Sequence, residues 1–90
     1  MNVRFTSVAE LELSEAILEY EAARPGVGAK FLSDARSATR LIESHPHAWT
    51  SLSPRTRRIR LHKFPFGLFY QVRPDEILIV SVMDLRRNPR

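Results

Sequence analysis

Tyr20-Glu21-Ala22-Ala23-Arg24-Pro25-Gly26-Val27-Gly28-Ala29-Lys30-Phe31-Leu32 is the stretch on which the fold turns. Proline disfavours helix in the residue before it, and glycine reaches the left-handed conformations of a tight turn. A helix carrying Tyr20 must therefore break at Arg24-Pro25-Gly26-Val27-Gly28. Both flanks are helical by pattern. Upstream, Ala9, Leu13, Ala16, Ile17 and Tyr20 share one face at helical spacing, with Glu12, Glu15 and Glu19 on the others. Ser7-Val8-Ala9-Glu10 has the S-x-x-E form of a capping box, which predicts a helix start with Ser7 as its N-cap. Downstream, Phe31, Ala35, Ala38, Thr39 and Ile42 give a second helix its inward stripe, and Ser44-His45-Pro46 closes it. Lys30, Arg36 and Arg40 form that helix's basic face. Two helices joined by so short a break fold back as a hairpin.

Outward from the hairpin the pattern changes to strands. Val3 and Phe5 alternate with Asn2 and Arg4, a short first strand ending at Thr6. His47 to Arg55 reads as a loop holding the only tryptophan, Trp49, and a Ser-Pro turn. Three strand-like segments follow: alternating Arg58-Ile59-Arg60-Leu61-His62, aromatic-rich Phe66 to Val72, and β-branched Glu76 to Val82. Pro65-Phe66-Gly67 and Arg73-Pro74-Asp75 mark two connections short enough for antiparallel hairpins. The order β-α-α-β-β-β predicts a two-layer α+β fold, with the helical hairpin on one face of a small, mainly antiparallel sheet. Without repeats, low-complexity tracts or a linker-like run, residues 1–90 read as one domain.

Ninety residues bury only about 60–65% of the surface that the unfolded chain exposes, so the core is thin. The chain has no cysteine, which removes disulfides and thiolate metal sites as reinforcement and makes a partner protein plausible. No cofactor is expected. Met1-Asn2-Val3-Arg4-Phe5-Thr6 leads into Glu10, Glu12 and Glu15, unlike a signal peptide, and the longest apolar run is of strand length. A cytoplasmic protein is the expectation. Charge is uneven: residues 1–45 carry five Lys/Arg against seven Asp/Glu, net −2, and residues 46–90 carry nine against three, net +6. A basic back half implies a surface that attracts phosphate or an acidic partner, unless it is simply a solvated face.

Three segments in order resemble one family. Tyr20-Glu21, Pro25-Gly26-Val27-Gly28 and Phe31-Leu32 are similar to the helix-hairpin segment of ParE-like toxins. Arg57-Arg58 through Lys63-Phe64-Pro65-Phe66-Gly67-Leu68-Phe69-Tyr70-Gln71-Val72 resembles their central strand pair, and Ile77 to Val82 with Arg86-Arg87-Asn88-Pro89 resembles their last strand and its basic end. The resemblance spans nearly the whole chain and identifies it as a member of the RelE/ParE superfamily of type II toxin–antitoxin systems. It implies a cognate antitoxin as partner, a toxin–antitoxin hetero-oligomer, and one of two targets. ParE-like toxins trap DNA gyrase; RelE-like toxins cleave messenger RNA on the ribosome. Relatives often carry a His before the Arg-Arg pair and an aromatic residue after it, where this chain has Asp84-Leu85-Arg86-Arg87 and no aromatic through Arg90. Those departures favour the gyrase branch. A basic accessory module without toxicity is the third alternative.

Arg58, Arg60 and His62 share one strand face by alternation, opposite Ile59 and Leu61, and are expected to meet antitoxin or target there. Arg86 and Arg87 lie just past the last strand and are expected to join that patch, with Pro89 helping to end the strand. For RNA cleavage, His62 is the candidate base, with Arg60 and Arg86 clamping the phosphate. Tyr70 is in phase with Phe66, Leu68 and Val72 and reads as core. Gly67 reads as a place where the strand comes close to its neighbour. His45-Pro46-His47 is too compact and too far from carboxylates for a metal site, and no metal is expected.

Overall fold

A computed structural model describes residues 1–87. The elements are β1 (Asn2–Phe5), α1 (Ser7–Ala23), α2 (Val27–Ser44), β2 (Thr50–Ser51), β3 (Arg57–Arg60), β4 (Phe66–Val72) and β5 (Glu76–Asp84), followed by a 3-10 turn, Leu85–Arg87. The strands form one sheet in the order β1-β5-β4-β3-β2. The three later strands pair antiparallel, as expected, whereas β1 runs parallel to β5, with Val3 opposite Ile77 and Phe5 opposite Ile79. The helical crossover between β1 and the distant β5 makes that parallel pairing possible.

The helix hairpin forms where the Pro-Gly break predicts it, and its residues show why. Gly26 sits at φ 92°, the left-handed region that a residue with a Cβ rarely adopts. Gly28 lies where the helices cross: a Cβ there would come within 2.8 Å of the Ile17 carbonyl oxygen and 2.9 Å of Glu21 Cβ. The Glu21 carboxylate accepts hydrogen bonds from the backbone N–H groups of Gly26 and Gly28 at 3.0–3.1 Å. It thereby caps the start of α2, where Gly26 offers no side chain. The first helix starts differently from the capping-box expectation. Thr6, still extended, is the N-cap, and its Oγ1 accepts from Ala9 N–H at 3.1 Å. Ser7 is already helical, which moves the cap one residue upstream.

The hairpin packs on the sheet through Ala9, Ala16, Phe31, Ala38 and Ile42, which meet Ile59, Leu61, Phe66, Leu68, Tyr70, Ile77, Ile79 and Val82. Leu13, Ile17 and Tyr20 are half-buried against the same core. An aromatic cluster closes one end: Phe31 stacks on Tyr20 at 5.4 Å and meets Phe64 and Phe66 edge-on at 5.0 and 4.9 Å. Tyr70 is fully buried, donates to the Pro46 carbonyl at 2.7 Å, and has its pKa raised by burial. Beyond the end of β1, the Val82 N–H on the uncovered edge of β5 donates to Glu12 at 2.8 Å, and the Ser81 hydroxyl does so at 3.1 Å. A carboxylate from α1 thus replaces the missing strand.

Three segments depart from the sequence reading. The loop after α2 contains β2, a two-residue strand pairing Thr50 with Arg58 and Ser51 with Arg57. The last strand runs on to Asp84, interrupted by a bulge that leaves Val80 without an opposite residue. The third strand ends at Arg60 rather than His62: the Leu61 N–H still donates to the Phe66 carbonyl at 2.8 Å, and the three amides after it are taken by a side chain. Asp34 on α2 accepts from the backbone N–H groups of His62, Lys63 and Phe64 at 3.2, 2.7 and 3.2 Å. The expected role of Pro89 lies outside the described residues.

Candidate functional site

Pairing of β3 with β4 sets Arg58 opposite Phe69 and Arg60 opposite Gly67, while Ile59 and Leu68 pair on the core side. Arg58 and Arg60 therefore stand on the sheet face away from the helices, as alternation predicts. Gly67 lies beneath Arg58: a Cβ there would be 3.2 Å from Arg58 Cγ and Cδ and 3.3 Å from Leu85 Cδ2. The close approach expected at Gly67 is thus made by side chains of its neighbours. This outer face is not purely basic, since half-buried Phe69 and exposed Met83 share it with the two arginines.

His62 does not join them. Once Asp34 has drawn the 62–64 backbone towards α2, His62 lines a groove between the helix and the strand edge, with Ser37, Leu41 and Arg60. It also borders a second depression with Lys30 and Lys63. The fork of Asp34 sets the position of His62, and alternation stops counting where the strand stops.

Arg86 and Arg87 do not complete the predicted patch either. The Asp84 carboxylate accepts from Arg86 Nε and Nη2 at 3.1 and 2.9 Å and lies 3.5 Å from Arg87 Nε. The Arg86 hydrogen bonds hold the Asp84 carboxyl below its ordinary range; burial opposes them, and the Arg86 amide and both guanidinium charges add to them. In turn the Arg86 pKa is raised, first by that hydrogen bond and then by the charge of Asp84, with smaller contributions from Tyr20 and Glu19 of α1. Arg87 lines a groove with Glu12, Glu15 and Glu19 of α1, and Met83 of the outer face borders it. The pair faces the acidic edge of the first helix because Asp84, the last residue of β5, anchors it there.

The candidate residues consequently form three local environments: Arg58 and Arg60 with Phe69 on the outer face, His62 beside α2, and Arg86 with Arg87 at α1. Arg60 borders both of the first two. Sequence reasoning passed over Asp34, which is 7% exposed. The available signal was an acid three residues after Phe31, inside the apolar stripe of α2, where only a hydrogen-bonded carboxylate is tolerated. Glu12, which the helical pattern puts off the apolar face, and Glu21, which the sequence shows only as part of the family resemblance, are both tied to backbone amides.

A further surface becomes visible only in the fold. Val8, Leu11 and Leu18 of α1 are 59%, 59% and 68% exposed, on the side away from the sheet. With Ala9, Ala16 and Tyr20 facing inward, α1 is apolar on two opposite sides, unlike the usual single-stripe surface helix.

Over residues 3–89 the sequence matches the family described as ParE toxin of type II toxin-antitoxin system, parDE. Among solved structures, the chain is similar to the chromosomal ParDE TA system from P. aeruginosa, with TM-score 0.82 and 21% identity over 94% of this chain and 96% of that one. At that identity the likeness speaks for the fold. A comparison with curated proteins returned no match. With the family pattern running almost end to end, and with the helix hairpin and sheet arranged as in the solved relative, this chain belongs to the ParE toxin family of type II toxin–antitoxin systems.

Proposed function

We propose that the protein is a cytoplasmic toxin that inhibits DNA gyrase by binding it, and that a cognate antitoxin neutralises it in a hetero-oligomeric complex. The observation that carries this reading is the engagement of Arg86 by Asp84, outside the residues that line the groove His62 shares with Arg60. In-line cleavage of RNA needs base and cations around one phosphate. Here the candidate base and one clamp belong to different environments. Docking on a macromolecule asks less: cations beside apolar side chains, which half-buried Arg58 and exposed Arg60 supply with Phe69 and Met83. The antitoxin is expected to lay an acidic-apolar segment over this face. Folding of that segment on binding adds apolar contact to a thin core, so the toxin's melting temperature should rise on addition of antitoxin.

Two assays test the target. Purified protein should abolish supercoiling by gyrase and leave ribosome-bound messenger RNA intact. Charge reversal at Arg60, R60E, should weaken inhibition and keep the fold, because that side chain lies on the docking face and is exposed. His62→Ala should retain inhibition, whereas loss of a catalytic base would slow RNA cleavage by about 10²–10⁴-fold. Cleavage of messenger RNA with gyrase untouched would replace this reading with the ribonuclease one.

A further inference from the structure

Three arginines gather in a pocket where none of the candidate residues sits. At the end of the sheet where β3 begins and β4 finishes, one open pocket is lined by His47, Arg55, Arg57, Gln71 and Arg73, with Pro54, Val72 and Pro74 as apolar walls. Two separate parts of the chain supply the charge, Arg55 and Arg57 at the start of β3 and Arg73 in the turn between β4 and β5, and the loop after α2 adds His47. Among the described residues no carboxylate lines this pocket. Glu76, the acid whose pKa feels Arg73, is taken by Arg4, which donates to both of its oxygens at 3.0 and 3.1 Å.

The cations are also held in place. Half-buried Arg57 donates from Nη1 to the Trp49 carbonyl at 2.9 Å, and Arg73 donates from Nη2 to Gln71 Oε1 at 3.0 Å. The Ser53 hydroxyl accepts from the N–H groups of Arg55 and Thr56 at 3.3 and 3.1 Å, fixing the turn that presents Arg55. Each tether leaves further guanidinium N–H groups able to donate to a ligand. Three like charges gathered with no carboxylate among the described residues lining the pocket between them repel one another, and an anion bound there relieves that repulsion.

We propose that this pocket binds phosphate presented by the backbone of a nucleic acid. Guanidinium groups match phosphate oxygens in a bidentate fork. An acidic peptide fits less well, because extended peptides gain affinity by pairing with a sheet edge. The pocket opens at the strand ends, whereas the sheet's lateral strands are β1 and β2. Phosphodiester recognition needs only positioned cations. The proposal does not depend on gyrase being the target.

The test is fluorescence anisotropy with a labelled single-stranded oligonucleotide, run at several salt concentrations. R55A/R73A should weaken binding about tenfold and make the salt dependence shallower by roughly 1–1.5 in log–log slope. R36A/R40A removes the same charge from exposed positions on α2 and should change affinity by less than about twofold, since it spares the pocket. Arg57 is left intact because it also holds Trp49. Circular dichroism melts confirm that both doubles remain folded, and the single variants R55A and R73A replace a double that does not. Inorganic phosphate and a nucleoside monophosphate, added as competitors, should displace the oligonucleotide. Equal weakening by the two double variants would show a diffuse field and overturn the site. So would failure of the unmodified protein to bind the oligonucleotide, even if free phosphate binds, or tighter binding of a polyglutamate peptide.

Discussion

Asp34 offers the sharpest test of how this fold is held. Its carboxylate accepts three backbone N–H groups in succession, from His62, Lys63 and Phe64, with Lys63 closest at 2.7 Å. A hydrogen bond to a charged group is worth about 1.5–3 kcal/mol, and the three here share the two oxygens of one carboxylate and are partly wet, so their loss is not additive. Asp34→Ala should cost about 3–4 kcal/mol, a large share of the roughly 5–13 kcal/mol expected of a domain this size. Asp34→Asn should cost about 1–2 kcal/mol: its amide oxygen can keep the two bonds at Oδ2, while its NH₂ then opposes the His62 N–H. Urea denaturation read at constant m-value gives both numbers, and amide exchange at Lys63 reports the local effect. If Asp34→Ala costs less than about 1 kcal/mol, or if the Lys63 amide keeps its protection, the loop is not held by this carboxylate and the account of why β3 stops at Arg60 is wrong.

Phe31→Ala should cost about 3–5 kcal/mol, because the ring is fully buried among Tyr20, Phe64 and Phe66; a thermal melt that barely moves would show that the aromatic cluster collapses to fill the gap. Gly28→Ala should destabilise by about 1–3 kcal/mol as the new Cβ pushes on the Ile17 carbonyl and on Glu21, and a neutral effect in urea titration would contradict the close helix crossing. The Asp84 carboxyl has a lowered pKa in the fold, so its contribution is present above the ordinary carboxylate range and is lost as pH falls through the folded value. Arg86→Gln should therefore flatten part of the acid side of the stability profile; the effect is small and salt-sensitive because Arg86 is exposed, and an unchanged profile at low salt would discount the pair.

The elements most legible in the sequence were those set by local rules. Pro25 and Gly26 end one helix and start another because of backbone sterics, and the stripe through Phe31, Ala35, Ala38 and Ile42 is buried because 3.6-residue periodicity puts those side chains on one face. Alternation likewise put Ile59 inside and Arg58 and Arg60 outside, and it read Tyr70 as core. Family membership followed from several such local features arriving in one order.

What the tertiary structure decided was where distant polar groups meet. Asp34 lies 28 residues before His62, and no periodicity links them; the chain's return beside α2 brings its carboxylate to three amides and takes His62 off the sheet. Asp84, placed at the tip of β5 by the strand's length, turns Arg86 and Arg87 towards α1 and breaks up a patch that looked continuous along the chain. Arg55, Arg57 and Arg73 read in the sequence only as a loop end, part of a family motif and a turn residue, yet the β4–β5 turn and the approach to β3 bring them to one pocket. Charge carries no period along a chain. Apolar side chains announce their side by a repeating spacing, but a charged group's role depends on the partner that folding delivers to it.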